Sequence, residues 1–327
     1  MSQILLPEGY KIFIPSLIKS QYKFVKILGK GSFSVVILVQ DIQSQKLLAI
    51  KIISQKYLID FKIVSQFENE IKICFRLKHS NIVQVYEMYN DETQIYVLME
   101  YCSNGNLSEY MNSFPLSDNQ IKFFFSQILS ALCYIHGCGI AHRDLKLQNI
   151  LLDENLNIKI GDFGFACNNN ENLTDSVGSP IYIAPEILSK KAYDGIKADT
   201  WSLGVILYIL LTRKIPWTAT TESQLFYQIQ TCSYSIPNNI DEFGRNLISS
   251  LMEPVPNIRL SAKECLSHPW FGSNANMIPF SNSNIKSTSS FKSVLRGKMG
   301  VIHKKKIVNN ASNLSKVLTY DNTHDDL

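Results

Sequence analysis

The sequence predicts an α+β protein with two lobes, a β-rich N-lobe followed by a mostly helical C-lobe. Short runs rich in β-branched residues fill residues 24–53 and 94–102, which is typical of strands. Beyond residue 105, apolar residues recur at helical spacing in three long segments. The chain has 327 residues, 45% of them hydrophobic, and is large enough to bury an extensive core. This order indicates two lobes joined near residues 100–104, with a cleft between them that could hold a ligand.

Four strands and four helices follow from these patterns. The predicted strands are residues 24–28, 35–41, 47–53 and 94–102, the first three forming an antiparallel sheet. The predicted helices are residues 67–78, 121–139, 199–212 and 243–252.

The chain is expected to divide into three segments. An N-terminal extension covers residues 1–21, and one large domain covers residues 22–271, with its N-lobe at about 22–101 and its C-lobe at about 105–271. Serine and asparagine dominate after residue 271, so residues 272–327 are predicted to be a disordered tail. Eight basic and three acidic residues give the segment beyond residue 272 a charge of +5, against −1 for the rest of the chain.

Composition excludes several classes of function. The formal net charge of +4 is too small to indicate a partner nucleic acid. The seven cysteines form no CxxC pair and have no histidine at metal-ligand spacing, so we expect reduced thiols in a cytoplasmic or nuclear protein. We recognise no signal peptide, and no apolar run approaches the about 18 residues of a membrane span, so any membrane contact is expected to be peripheral.

A glycine-rich turn between the first two predicted strands is the first feature that suggests chemistry. Gly29 and Gly31 stand in the segment GKGSFS, where missing side chains let backbone N–H groups approach phosphate oxygens. Ser34 takes the third glycine position of the GxGxxG pattern, where a small hydroxyl side chain adds little bulk. A tight hairpin without a ligand explains an isolated GxG equally well.

Lys51 lies on the third predicted strand, where its ammonium group would pair with the α- and β-phosphates of a nucleotide. Glu70 is expected to hold that ammonium group, because it precedes the apolar helix positions Ile71 and Ile73; Glu68 is the alternative. A solvated lysine at the end of an alternating strand is the other interpretation of Lys51.

The most specific pattern is His-Arg-Asp-Leu-Lys-Leu-Gln-Asn at residues 142–149, followed by Asp-Phe-Gly at 162–164 and Ala-Pro-Glu at 184–186. Asp144 would accept or align a hydroxyl proton of the substrate, and Lys146 would stabilise charge on a transferring phosphoryl group. Asn149 and Asp162 supply the hard oxygen ligands that Mg²⁺ prefers. Ordinary polar loops could contain these residue types, but several motifs in this order favour phosphoryl transfer.

With these motifs the chain resembles the eukaryotic protein kinase superfamily over residues 22–271. The resemblance implies the bilobal protein kinase fold, with ATP and Mg²⁺ as cofactors and proteins as substrates. It places the gatekeeper at Met99 and expects Asp199 to anchor the catalytic loop and Glu186 to pair with Arg259. The residues that it implies in nucleotide binding are Leu28, Gly29, Lys30, Gly31, Ser32, Phe33, Val36, Ala49, Lys51, Met99, Glu100, Cys102, Asn149, Leu151 and Asp162.

Within that family, Lys146 and the Gly-Ser-Pro segment at 178–180 are typical of serine/threonine kinases, and Phe165 favours serine. Residues 145–152, 162–166 and 178–188 look most like Unc-51-like, autophagy-initiating kinases, with AMP-activated and calmodulin-dependent kinases next. Asn106 and Gln148 stand where kinases selective for arginine carry acidic residues, so we expect a substrate preference that is not strongly basic.

Arg143 implies regulation through the activation loop, because a cationic arginine favours an anionic partner. The usual phosphorylation position holds Asp175, flanked by Thr174 and Ser176. One hypothesis is that Asp175 supplies permanent negative charge; the alternative is that an upstream kinase phosphorylates Thr174.

Two further alternatives concern the tail and catalysis. Residues 291–308 mix basic and apolar side chains and are compatible with binding calmodulin, an acidic membrane surface or the chain's own cleft, or with a solvated tail. A calmodulin-regulated kinase and a pseudokinase that binds ATP without transfer are therefore the competing functions.

Overall fold

The computed structural model describes residues 2–5, 11–14, 16–31, 34–169 and 173–272. Ser32 and Phe33 of the glycine loop lie outside the described residues, as does the predicted tail beyond Gly272.

The N-lobe contains an antiparallel five-stranded sheet in the order β3-β4-β5-β7-β6, together with a separate β1-β2 hairpin. Its elements in chain order are β1 Ser2–Leu5, β2 Lys11–Ile14, α1 Ser16–Gln21, β3 Tyr22–Lys30, β4 Ser34–Asp41, β5 Leu47–Ser54, α2 Gln55–Asp60, α3 Val64–Arg76, β6 Val85–Asn90 and β7 Gln94–Glu100. The predicted strands and the predicted helix at 67–78 are therefore confirmed, with boundaries displaced by a few residues.

The sheet separates two apolar layers because successive side chains of a strand point to opposite faces. On the outer face, Ile50 and Leu98 pack with Ile18 of α1. On the opposite face, Ile53 packs with Phe67 of α3. The helix α3 and the cleft therefore lie on the same side of the sheet.

The C-lobe is built around two long helices, α5 and α6. Its elements are α4 Leu107–Ser113, α5 Asp118–Gly137, β8 Ile140–Ala141, β9 Ile150–Leu152, β10 Ile158–Ile160, β11 Cys167–Asn168, α6 Gly195–Thr212, α7 Glu222–Gln230, α8 Glu242–Leu251 and α9 Ala262–Cys265. The sequence patterns did not identify the short helices α2, α4 and α7, which offer few turns for a periodic signal.

Local capping residues define where the main C-lobe helices begin. Ser117 and Gln120 form a reciprocal capping box at the start of α5, and Asp194 caps the first turn of α6. The helix α6 spans 18 residues with a mean hydropathy of 1.2, which a membrane span would also show, but 67% of this window is buried in the protein. It is the central core helix of the C-lobe, and the α+β prediction of a β-rich lobe followed by a helical lobe is confirmed.

Candidate active site

A cavity of about 650 Å³ opens between the N-lobe sheet, α3 and the segment at Asp162, within the size range of small-molecule sites. Charged groups and apolar side chains line it together: Gly29, Lys30, Gly31, Ser34, Val36, Lys51, Ile53, Phe67, Glu70, Ile71, Cys74, Val83, Val85, Val97, Met99, Lys146, Gly161, Asp162 and Phe163. Nine of the residues expected in the site therefore meet in one cavity: Gly29, Lys30, Gly31, Val36, Lys51, Glu70, Met99, Lys146 and Asp162.

Strand register places the N-lobe side chains in this cavity. Val36 of β4, Lys51 of β5 and Val97 of β7 are direct cross-strand neighbours, and Ala49 and Met99 form the next row. Because the strand period is two, these residues share the face that carries α3.

Glu70 rather than Glu68 meets Lys51. The Glu70 Oε1 atom lies 3.2 Å from Lys51 Nζ, and both side chains are largely buried. Burial would lower the pKa of Lys51, but the facing carboxylates of Glu70 and Asp162 outweigh it and raise the pKa above its ordinary value. Lys51 is therefore held as a cation at the position where phosphates would lie.

Asp199 of α6 anchors the loop of residues 142–149, which we call the catalytic loop. Its two carboxylate oxygens accept the backbone N–H groups of His142 and Arg143, each at 2.8 Å, and His136 Nε2 lies 2.9 Å from the same carboxylate. Arg143 adopts a positive φ of 65°, a conformation that tertiary contacts must stabilise in a non-glycine residue. This anchor is what positions the next residue, Asp144.

Asp144 is the centre of a compact hydrogen-bond network. Its Oδ1 accepts both the backbone N–H and the hydroxyl of Ser179 at 3.0 Å, and its Oδ2 accepts Asn149 Nδ2 at 2.9 Å. Lys146 Nζ lies 3.2 Å from Oδ2 and donates to the Ser179 hydroxyl at 2.9 Å. A Cβ at Gly178, which has φ +103°, would lie 2.7 Å from Arg143 O, so glycine is required for this approach. The network fixes the carboxylate beside a lysine.

The Asp162 segment supplies an exposed carboxylate next to a buried aromatic side chain. Phe163 is 2% exposed and packs on His142, with ring centroids 4.9 Å apart. His142 Nε2 in turn lies 3.0 Å from Gly161 O, so the catalytic loop holds both sides of Asp162. Among the described residues no hydrogen-bond partner occupies the Asp162 carboxylate.

The side-chain oxygens of Asn149 and Asp162 fit Mg²⁺. Asn149 uses its Nδ2 group to donate to Asp144 O at 2.8 Å and to Asp144 Oδ2, which leaves its amide oxygen as the acceptor. Within the described part of the chain, no cluster of three or more His, Cys, Asp or Glu side chains could hold a metal ion. Two oxygen ligands from the protein, completed by substrate phosphates and water, are typical of magnesium sites.

The residues between the lobes lie beside this cavity but do not line it. The Glu100 carboxylate forms an ion pair with Lys159 Nζ at 2.5 Å and accepts a hydrogen bond from the backbone N–H of Gln84 at 3.2 Å. Because Lys159 lies on β10, the ion pair links the connection between the lobes to that strand. Burial raises the pKa of the Cys102 thiol to about 12, with the Glu100 charge contributing, so this thiol is not a nucleophile near neutral pH. The other predicted nucleotide contacts outside the cavity lining are Leu28, Ala49, Asn149 and Leu151.

The activation segment contacts the catalytic loop through Arg143. Its Nη1 donates to Asp175 Oδ1 at 2.7 Å, and its Nε donates to Phe165 O at 2.7 Å. Burial would lower the pKa of Arg143, but the Tyr193 hydroxyl and nearby negative groups including Asp175 raise it. Thr174 is exposed, and among the three expected regulatory positions it is Asp175 that meets the arginine.

Sequence reasoning missed several residues of the site. Ser179 lies within a motif that the sequence identified, yet its bond to Asp144 had no local signal. Lys159 and Tyr193 bond to the site residues Glu100 and Asp175, and Gln66 and Asn69 bond to the segment that follows Asp162. No spacing rule connects positions so distant along the chain.

A two-lobed fold with a lysine–glutamate pair, an aspartate anchored in the His-Arg-Asp loop and two side-chain oxygens that suit Mg²⁺ is typical of a phosphotransferase of the protein kinase type. A family model described as "Protein kinase domain" matches residues 22–271, which is more than half of the chain. The chain belongs to the protein kinase family.

The relatives compared are plant kinases. CBL-interacting protein kinase 5 of Oryza sativa subsp. japonica is 34% identical over 261 residues, covering 78% of this chain and 57% of that protein. CBL-interacting serine/threonine-protein kinases 20 and 7 of Arabidopsis thaliana are 33% and 35% identical, covering 77% and 78% of this chain and 58% and 61% of those proteins. The chain thus spans about three-fifths of the length of the relatives it matches. These relatives are named as CBL-interacting kinases, so they do not support the prediction of an Unc-51-like branch.

Proposed function

We propose that the chain is an ATP- and Mg²⁺-dependent protein serine/threonine kinase that transfers the γ-phosphoryl group of ATP to protein substrates. The observation that carries the proposal is the network in which Asn149, Lys146 and Ser179 each contact the Asp144 carboxylate, and Lys146 also bonds Ser179, at 2.9–3.2 Å. A pseudokinase commonly lacks one of these groups or its partner.

Each side chain has a role that its surroundings support. Asp144 is 7% exposed, and contacts from Asn149, Ser179 and Lys146 fix its carboxylate, so it can align a substrate hydroxyl and receive its proton. Lys146 neutralises charge beside that carboxylate, and Lys51, held by Glu70, orients phosphates. Bound Mg²⁺ neutralises the phosphate oxygens, and Asn149 and Asp162 are the side chains that would hold it.

Serine or threonine specificity rests on Lys146 and Ser179. Lys146 Nζ donates to the Ser179 hydroxyl at 2.9 Å, and both groups contact the Asp144 carboxylate. A lysine and a Gly-Ser-Pro segment at these positions are typical of serine/threonine kinases. The neutral side chains of Asn106 and Gln148 favour substrates that are not strongly basic, since neither offers a carboxylate to a guanidinium group. We assign this activity to the cytoplasm, with the nucleus as the alternative.

Regulation by a partner is a second part of the proposal. The relatives' names state that those kinases interact with CBL, and a CBL-type protein is therefore a better candidate regulator for this chain than calmodulin. Calmodulin and membrane binding were predicted from the basic tail, which lies outside the described residues. Autophagy has no support among these relatives. A rate that responds to an added CBL protein but not to calmodulin would favour this choice.

Transfer of labelled phosphate from ATP to a serine-containing protein substrate tests the activity. We expect Mg²⁺-dependent transfer by the unmodified chain and its loss in Asp144→Asn and Asp162→Asn. Asp60→Asn, an exposed position on α2, is the matched control and should retain full transfer. ATP binding without transfer in the unmodified chain, after treatment with an upstream kinase, would instead identify a pseudokinase.

A further inference from the structure

Three consecutive backbone carbonyls at the start of the activation segment accept hydrogen bonds from side chains. Gly164 O accepts Gln66 Nε2 at 2.8 Å, and Ala166 O accepts Asn69 Nδ2 at 3.0 Å. The carbonyl between them, Phe165 O, accepts Arg143 Nε at 2.7 Å. We name residues 164–166 the clamped segment. Side chains rather than a strand partner satisfy these carbonyls, so the path of the segment depends on where those side chains lie.

Two of the three donors lie on the same helix face as Glu70. Residues 66, 69 and 70 of α3 are spaced by three and four positions, which places them side by side on a helix surface. The face that presents Glu70 to Lys51 therefore also presents two amide groups to the clamped segment. A shift or rotation of α3 would break the Glu70–Lys51 ion pair together with the two hydrogen bonds that the side-chain amides of Gln66 and Asn69 donate.

The start of α3 has little local stabilisation of its own. Its N-cap residue, Ile63, provides no side-chain hydrogen bond to the first turn, whereas the caps of α4, α5, α6, α7 and α8 all provide one. Gln66 lies in that uncapped first turn and is itself exposed to solvent. Tertiary contacts must therefore hold the first turn of α3 in place.

From this geometry we propose that Gln66 and Asn69 are positioning residues, which hold α3 against the clamped segment so that Glu70 stays in contact with Lys51. The proposal rests on the proposed kinase function, for which the pairing of Glu70 with Lys51 orients phosphates. Arg143 extends the coupling, because it donates to Phe165 O and to Asp175 with the same guanidinium group. The negative charge of Asp175 and the position of α3 thus act on one three-residue segment.

Backbone hydrogen exchange in the full chain tests the proposal without requiring activity. The variants are Gln66→Met and Asn69→Leu, which keep side-chain length or branching but remove the donor. Exchange in α3 and in residues 162–168 should become roughly two- to tenfold faster per bond removed, while α5 and α6 remain unchanged. Lys72→Met, an exposed position on the same helix, is the matched control and should leave exchange unaltered. Unchanged exchange in α3 of both variants would overturn the proposal.

Turnover measured with and without Glu70 distinguishes positioning from general destabilisation. In the normal background each variant should lower kcat roughly two- to tenfold, with an unchanged KM for the protein substrate. In a Glu70→Gln background the same variants should cause no further loss, because the contact they maintain is already absent. An equal loss in both backgrounds would refute positioning through Glu70. Absence of transfer by the unmodified chain would refute the proposed function instead, and hydrogen exchange would then decide the positioning role alone.

Discussion

Replacing Asp175 with asparagine is expected to lower the basal rate of phosphoryl transfer. Asp175 Oδ1 accepts Arg143 Nη1 at 2.7 Å, and its backbone carbonyl accepts the Tyr193 hydroxyl at 3.0 Å. The amide of asparagine has nearly the same shape, so the substitution keeps the Tyr193 bond and removes only the charge. Arg143 would then hold the activation segment through Phe165 O without an anionic partner.

The exposure of the two side chains sets the size of the effect. The Arg143 side chain is 11% exposed, but that of Asp175 is 51% exposed, so water and salt screen the pair. Hydrogen bonds to charged groups contribute roughly 1.5–3 kcal/mol, and exposed ion pairs typically 0.2–1 kcal/mol. A half-exposed pair should contribute about 1 kcal/mol, which corresponds to about a fivefold lower rate if the segment is ordered only when the pair forms.

The assay compares initial rates of phosphoryl transfer by phosphatase-treated protein at low and at high salt. Asp175→Asn should be about fivefold slower at low salt, and the difference should shrink at high salt. Thr174→Val, at the exposed neighbouring position, is the control and should match the unmodified chain. An undiminished rate in Asp175→Asn would refute permanent charge at Asp175. A rate that rises after treatment with an upstream kinase in the unmodified chain, but not in Thr174→Val, would favour phosphorylation of Thr174.

Three other substitutions probe the scaffold. Glu186→Gln should lower the free energy of unfolding by about 3–5 kcal/mol, because Arg259, bonded to it at 2.6 Å, is fully buried; an unchanged melting temperature would contradict this. Ile18→Ala should cost about 2–4 kcal/mol in chemical denaturation, since Ile18 is 2% exposed against the outer face of the sheet, and an unchanged midpoint would show that α1 does not stabilise the N-lobe. Lys159→Met should raise the KM for ATP with little change in kcat, because it leaves the Glu100 carboxylate unpaired between the lobes; a fall in kcat alone would place Lys159 in the chemical step.

The parts of the fold that the sequence predicted are those with a strong local signal. The strands β3, β4, β5 and β7 follow from runs of β-branched residues, and α5, α6 and α8 follow from long apolar periodicity. The short helices and the N-terminal hairpin lack such a signal. The predicted Unc-51-like branch is not supported by the CBL-interacting kinases that the chain resembles.

Contiguous motifs likewise predicted most of the candidate site. Residues 142–149 carry the predicted catalytic aspartate, the lysine and a predicted metal ligand within one loop, so their proximity needs no tertiary information. The choice between Glu68 and Glu70 was different. It depended on the rotation of α3 about its axis, and the structure turns Glu70 toward Lys51.

Contacts between residues distant along the chain complete the site, and their geometry comes from packing. Arg143 and Asp175 are 32 residues apart, and Gln66 lies 98 residues before Gly164. Periodicity and short motifs report on neighbours within a turn of helix or a pair of strand positions, because backbone geometry alone fixes those distances. Whether an arginine meets an aspartate, or an amide meets a carbonyl, across such separations depends on how the lobes' helices and loops pack, which no local pattern encodes.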